Sequence, residues 1–253
     1  MTLYLNIMLK TLTNFSFLIL LNFIFSQDKS KLTEVWEPIP KKIDAYDFSK
    51  APSDAIILFD GKDFSNWITQ YSNETPKWQI NSDSSMTVVN GLGGIKTKES
   101  YGSVQLHIEW KTSKGSRNIK PQYNSNSGVF FQEKYELQVL DSYENPTFVN
   151  GQAGSIYKQY APLVNSSKKP GEWQSYDIIF NAPIFKNNQL IKPAFFTVFQ
   201  NGVLIQNHVE VQGSTTNVGF PKYSSHGNLP LVLQDHPSLP LSFRNIWIRK
   251  IAN

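Results

Sequence analysis

Short apolar and β-branched runs recur along the chain and are separated by turn-forming dipeptides. Turn signals stand at Asp60-Gly61, Asn90-Gly91 and Asn201-Gly202, and the last of these predicts a β-hairpin over residues 197–205. The sequence contains no amphipathic helical run of convincing length and no internal repeat. The pattern therefore predicts an all-β fold, a sandwich or jelly roll of two packed antiparallel sheets.

The most informative alternation lies in residues 135–141, with the sequence YELQVLD. Successive side chains of a strand point to opposite faces, so Glu136 and Gln138 share one face. Leu137 and Val139 face the other way and are expected in the core. The run SGVFF directly upstream is predicted to be the neighbouring antiparallel strand. Alternation alone favours an ordinary half-exposed strand in which the glutamate and the glutamine are solvated.

Length and composition fit one large β-domain. The chain has 253 residues, of which 40% are hydrophobic and 13% aromatic, enough for a substantial core. We expect this domain to occupy residues 54–253. Residues 27–53 are polar and carry Pro38, Pro40 and Pro52, which predicts an extended N-terminal arm.

The first 26 residues have the pattern of a secretory signal peptide. Lys10 precedes the apolar run from Leu12 to Phe25, and the small residue Ser26 follows it. The run is too short to span a bilayer, which disfavours a transmembrane anchor. We expect cleavage near Gln27, export to the periplasm or the extracellular space, and no stable membrane insertion afterwards. Lipid attachment is not expected, because the chain has no cysteine.

Charge and cysteine content exclude several classes of function. The formal net charge is +4 and the basic residues are scattered, which argues against a nucleic-acid-binding surface. The absence of cysteine excludes thiolate metal sites, a cysteine nucleophile and disulfide bonds. A neutral sugar is compatible with this charge balance.

A second group of chemically active side chains lies near the C-terminus. The apolar run that ends at Leu233 continues into Gln234, Asp235 and His236, and Pro237 follows. At a strand end, the aspartate could orient the histidine and raise its basicity, as general-base catalysis requires. A turn-capping aspartate beside an exposed histidine is an equally good interpretation.

Three ordered segments of the chain resemble the 3-keto-disaccharide hydrolase domain family. They are NSGVFFQEKYELQVLD, GQAGSIYKQYAPLVNSSKKPGEWQSYDIIFNAP and LQDHPSLPLSFRNIWIRKI, and the resemblance extends from Ile57 to the C-terminal strand. It implies a concanavalin A-like jelly-roll sandwich whose concave face binds sugar. It also implies an enzyme that cleaves glycosides already oxidised to a ketone at carbon 3, with an oligosaccharide or another glycoside as substrate.

The resemblance places the Gln-Asp-His element and the YELQVLD strand in one site. Glu136 and Asp141 lie about 17 Å apart along an unbroken strand, too far for the paired carboxyls of a direct glycosidase. The 3-keto group acidifies the hydrogen on carbon 2, so one base can start an elimination while an acid protonates the leaving oxygen. We therefore assign Glu136 and His236 as acid and base, in unassigned order.

The remaining candidates support this pair. Asp141 and Asp235 are expected to orient it or to bind a metal, since carboxylates and histidines could equally hold a divalent cation. Asn126, Gln138 and Gln234 are expected to donate hydrogen bonds to sugar hydroxyls. Arg244 is a further candidate for substrate contact, although an ion pair with a neighbouring carboxylate is slightly favoured.

A non-catalytic carbohydrate-binding module is the alternative on the same fold, because fold does not fix function. Such modules present exposed aromatic platforms to sugar rings. Trp78, Trp110 and Trp247 lie in strand-like runs where burial is expected, which favours the enzyme.

Overall fold

The computed structural model describes residues 31–47, 50–115 and 120–251. All strands of the described residues lie in the compact unit that begins at Asp44. The predicted signal peptide, residues 1–26, lies outside the described residues, so export and its cleavage position stay predictions. In the part of the chain that is described, no helix is long and apolar enough to cross a membrane.

The described residues form fifteen β-strands and two short 3₁₀ turns. The strands are β1 Ile56–Phe59, β2 Trp67–Thr69, β3 Gln79–Ile80, β4 Met86–Thr87, β5 Ile95–Tyr101, β6 Val104–Thr112, β7 Ser127–Phe131, β8 Tyr135–Val139, β9 Trp173–Asn181, β10 Ile184–Lys186, β11 Gln189–Lys192, β12 Phe195–Gln200, β13 Val203–Glu210, β14 Leu229–Leu233 and β15 Leu241–Lys250.

Two antiparallel sheets make up the domain. The large sheet has the order β13-β12-β9-β6-β15-β4-β3, and β1 also pairs with β15. The small sheet has the order β2-β5-β14-β7-β8, while β10 and β11 form a separate ribbon. The predicted all-β sandwich is therefore confirmed.

Aromatic side chains fill the space between the sheets. The ring of Phe131 in β7 lies 4.8 Å from Phe180 and 5.1 Å from Phe196, both in the large sheet. Leu137 and Val139 in β8 are fully buried in the same core, which confirms the predicted parity of this strand. Trp78, Trp110 and Trp247 are also buried, as the sequence pattern predicted.

The hairpin β7–β8 carries the polar strand face. Residues 132–134 connect the two strands, and Lys134 N donates to Phe131 O at 3.1 Å. The central residues of this turn, Gln132 and Glu133, have φ values of 52° and 56°, both positive as in a type I′ turn. β8 ends the small sheet, and the loop that follows covers its free edge. Tyr157 N donates to Glu136 O at 3.2 Å, and the amides of Gln138 and Gly154 bond across the same edge. This pairing satisfies the edge strand and places Tyr157 beside Glu136.

Candidate active site

A cavity of about 520 Å³ lies on the outer face of the small sheet. Its floor is formed by side chains of β7, β8 and the segment after β14, and loops form its walls. Five of the eight predicted site residues line this cavity: Glu136, His236, Asn126, Gln138 and Gln234. The structure thus brings the two sequence elements together, as the family resemblance implied.

Glu136 occupies the floor as a buried carboxyl. Only 4% of the residue is exposed, so the solvated glutamate that alternation favoured is wrong. Among the described residues, none donates a hydrogen bond to its carboxyl group. Burial alone raises the pKa of Glu136 from 4.5 to about 8, because the charged form loses its hydration without compensation. At neutral pH the group is therefore mainly a neutral acid.

A glycine on the neighbouring strand makes room for this carboxyl. Gly128 in β7 is opposite Gln138 in the register of the hairpin. A Cβ atom at position 128 would lie 2.6 Å from Oε1 of Glu136 and 2.7 Å from Cε2 of Phe130. Any larger residue would push the carboxyl out of its place, so the glycine shapes the floor.

His236 is the second titratable group in the cavity wall. Burial lowers its pKa below the ordinary value of 6.5, and the neighbouring Asp235 carboxylate partly opposes the shift. Its Nδ1 atom is buried and bonds to none of the described residues. The ring of Tyr123 packs edge-on against the imidazole at 5.5 Å. At neutral pH the imidazole is uncharged and can accept a proton.

Asp235 does not orient His236, and this expectation needs correction. Its Oδ2 accepts hydrogen bonds from the backbone amides of Gly91 at 2.8 Å and Gly93 at 2.9 Å. The Oδ1 atom is buried and makes no hydrogen bond within the described structure. Asp235 is absent from the cavity lining. Adjacent side chains of an extended segment point to opposite sides, so Asp235 holds a loop while His236 faces the cavity.

Asp141 and Arg244 also lie outside the cavity lining. Asp141 follows the end of β8, where its Oδ1 accepts a hydrogen bond from the amide of Tyr143 at 3.1 Å. Arg244 lies on the large sheet, and its Nε donates to Glu109 at 2.6 Å. The ion pair that sequence reasoning slightly favoured is therefore confirmed, and the structure places this guanidinium away from Glu136.

The amide side chains of the floor form a chain of hydrogen bonds. Gln138 Nε2 donates to Asn126 Oδ1 at 3.0 Å and to its neighbour's carbonyl, Val139 O, at 3.1 Å. Asn126 Nδ2 donates to the carbonyl and the side chain of Gln122. Both N–H groups of each amide are thus used within the protein. Asn126 and Gln138 are therefore not free to donate to sugar hydroxyls as predicted. Gln234, whose side chain bonds to none of the described residues, is the amide best placed to donate to a ligand.

Loop residues complete the cavity, and sequence reasoning assigned them no role. Phe148, Tyr157 and Lys158 come from the long loop between β8 and β9, and Asn217 comes from the loop after β13. No local sequence pattern distinguished these positions. Gly151 was the available signal, since a Cβ atom there would collide with the ring of Phe148.

The described residues include no group of three or more histidines, aspartates or glutamates arranged to hold a metal ion. In the cavity, Glu136 and His236 are the titratable acid and imidazole of the described lining. This pair can transfer protons, because a neutral acid and a neutral base line the same cavity.

The model of one protein family, the 3-keto-alpha-glucoside-1,2-lyase-like domain, matches residues 54–249 of this chain. A crystal structure from Parabacteroides distasonis ATCC 8503, provisionally named a glycosyl hydrolase, is 46% identical. The match covers 87% of this chain and 96% of that chain, with a TM-score of 0.83.

Two further crystal structures from the same organism, also provisionally named glycosyl hydrolases, are 20% and 21% identical. They match 79% and 78% of this chain and 94% and 99% of their own, with TM-scores of 0.55 and 0.52. At this identity they support the fold alone. No protein with a curated description matches the chain.

Proposed function

The chain belongs to the 3-keto-alpha-glucoside-1,2-lyase-like family, and from this premise we propose that it cleaves glycosides whose sugar carries a ketone at carbon 3. The reaction is an elimination followed by hydration. An enzyme that acts on glycosides agrees with the glycosyl hydrolase name of the 46% identical relative.

The observation that carries the proposal is the pairing of one carboxyl with one imidazole. A direct glycosidase needs two carboxyls, about 5 Å apart for retention or about 6.5 to 9.5 Å apart for inversion. Among the described residues that line the cavity, Glu136 is the single carboxyl. An elimination requires only one base and one acid, and the cavity supplies both.

The protonation states support one order for this pair, with His236 as the base and Glu136 as the acid. His236 is neutral at pH 7 and takes the proton from carbon 2. The electrons of that bond form the double bond between carbons 1 and 2, and the bond from carbon 1 to the leaving oxygen breaks. Glu136, still protonated because its pKa is about 8, gives its proton to that oxygen.

Hydration runs the same two groups in reverse. The Glu136 carboxylate takes a proton from water, whose oxygen adds to carbon 1. The His236 imidazolium returns a proton to carbon 2, so both groups recover their starting states. The balance of the two steps is hydrolysis of the glycosidic bond, with the ketone unchanged.

The binding-module alternative rests on exposed tryptophan platforms. Trp110 and Trp247 are no more than 1% exposed and Trp78 is 4% exposed, so these three cannot stack on a sugar ring.

The proposal is tested by product analysis with matched substrates. The purified protein is incubated with a 3-keto glucoside and with the same glucoside unoxidised, and the products are identified by mass spectrometry. We expect release of the leaving alcohol from the 3-keto substrate alone, because only the ketone acidifies carbon 2. Cleavage of the unoxidised glucoside at an equal rate would contradict the ketone requirement.

A further inference from the structure

The mouth of the cavity differs in chemistry from its floor. The floor residues Glu136 and Gln138 are almost fully buried, at 4% and 1% exposure. At the mouth, Phe148 is 42% exposed and Lys158 is also exposed. We call Phe148, Tyr157, Lys158 and Asn217 the rim. A substrate whose reacting carbons reach Glu136 must direct its outer part toward this rim.

The ammonium group of Lys158 is held in place before any ligand binds. Its Nζ donates to the carbonyl of Asn217 at 2.7 Å and to the side-chain Oδ1 of the same residue at 2.6 Å. The backbone of Lys158 has a φ of 58°, an unfavourable value for lysine, and its N–H donates to Asn150 O at 2.8 Å. An ammonium has three N–H donors, so one remains for a ligand.

Two aromatic rings flank this ammonium. The Phe148 and Tyr157 rings meet edge to face at 6.3 Å, and Nζ of Lys158 lies 5.9 Å and 5.6 Å from their respective centres. The Phe148 ring lies directly over Gly151, where a Cβ atom would come within 1.9 Å of it. The glycine therefore fixes the ring against the backbone and leaves its other surface toward solvent. Lys158 is the single lysine or arginine among the described residues that line the cavity.

We propose that the rim is the subsite for the leaving group and that it favours an aromatic leaving group bearing a carboxylate. A flat ring would pack against Phe148 and Tyr157, and the carboxylate would accept the remaining N–H of Lys158. This inference rests on the proposed function, since a leaving group exists only if the protein cleaves glycosides. It names the substrate class as 3-keto aryl glucosides with an acidic ring substituent.

The test compares two 3-keto glucosides that differ in charge at one position. One carries a 4-carboxyphenyl leaving group and the other carries the neutral 4-carbamoylphenyl group. We expect the ratio of their kcat/KM values to fall by about twofold to fivefold in Lys158→Gln, the range for loss of an exposed charge pair. Intrinsic differences between the leaving groups cancel, because the ratio is compared between proteins. Lys186→Gln, an exposed lysine on β10, serves as the matched control and should keep the wild-type ratio.

A salt titration of the wild-type protein gives a second measurement that needs no variant. The preference for the carboxylate should decrease as sodium chloride is raised to about 0.5 M, because salt screens exposed charges. A ratio unchanged both in Lys158→Gln and at high salt would overturn the rim assignment, provided methyl 3-keto-glucoside is still cleaved by wild type. If none of the three substrates is cleaved, both the proposed function and the rim assignment are contradicted.

Discussion

Glu136→Gln is expected to lower the turnover of a 3-keto glucoside by about 10²-fold or more, the usual effect of removing a general acid. Gln has nearly the same shape as the neutral acid but cannot release a proton to the leaving oxygen. Substrate binding should remain close to that of the wild type. Steady-state kinetics measure both parameters. Glu133→Gln, in the turn of the same hairpin and outside the cavity lining, is the matched control and should retain full turnover.

The pH profile supplies a signature specific to the acid. In the wild type, activity should fall above about pH 8, because Glu136 then loses the proton it must donate. On the acid side, activity should fall as His236 becomes protonated, at a pH below 6.5, because burial lowers the pKa of His236 below that ordinary value. In Glu136→Gln the residual activity should lack the alkaline limb. Persistence of that limb in the variant would assign the titration to another group.

Glu136→Gln should lower activity without lowering the stability of the fold. The folded state raises the pKa of Glu136 from 4.5 to about 8, so the unfolded chain releases this proton more readily. Stability is therefore lost as pH rises from about 4.5 to about 8. Glu136→Gln removes this pH-dependent loss, and the variant should melt at the wild-type temperature or higher at pH 8. This readout separates loss of the acid from loss of the fold.

His236→Gln is expected to reduce turnover by about 10²- to 10⁴-fold, the range for a general base. The amide keeps a polar side chain in the wall but cannot accept a proton from carbon 2. The acid limb of the pH profile should disappear with the imidazole. His226→Gln is the matched control, because His226 bonds to Tyr135 at 2.8 Å and is not part of the cavity lining.

Near-normal turnover in His236→Gln, with the acid limb intact, would exclude this histidine as the base. Asp235→Asn offers a further distinction. Because Asp235 binds the amides of Gly91 and Gly93 and not His236, Asp235→Asn should lower the melting temperature and, by removing a nearby negative charge, move the acid limb only slightly to lower pH. Disappearance of the acid limb in Asp235→Asn, as expected for His236→Gln, would instead show that the aspartate acts together with the histidine.

Strands whose two faces differ in polarity could be predicted from the sequence. The alternation in β8 gave the correct core positions, because a one-residue shift would have buried the wrong set. The Asn201-Gly202 hairpin was also correct, with φ values of 52° and 79° at the turn. Local periodicity determines these elements, so no knowledge of distant contacts was needed.

Other elements depend on contacts that the sequence pattern does not display. β5 has the sequence IKTKESY, and its charged residues obscure the strand. Thr97 is buried there because its hydroxyl donates to Glu99 O and accepts from the amide of Leu231. The ribbon β10–β11 turns at Asn187 and Asn188, both with positive φ, and the sequence analysis predicted no strands there.

The candidate site was predictable where it lies on strands and not where it lies on loops. Glu136 and Gln138 followed from strand parity, whereas the rim depends on how two loops far apart in sequence meet. The roles of Asp141 and Asp235 could not be predicted from the sequence, because an aspartate near a strand end can accept a hydrogen bond from a loop amide as readily as it can contact a ligand. For Arg244, the decisive fact is its position on the large sheet beside Glu109.

Elimination requires that the proton on carbon 2 be removed and later replaced, and solvent deuterium tests this exchange most directly. The wild-type protein is given a 3-keto glucoside in deuterated water, under conditions where the free product does not exchange, and the released keto-sugar is examined by NMR and mass spectrometry. Elimination followed by hydration predicts deuterium on carbon 2 of the released sugar. Product that carries only hydrogen at that carbon would contradict the elimination and indicate direct hydrolysis.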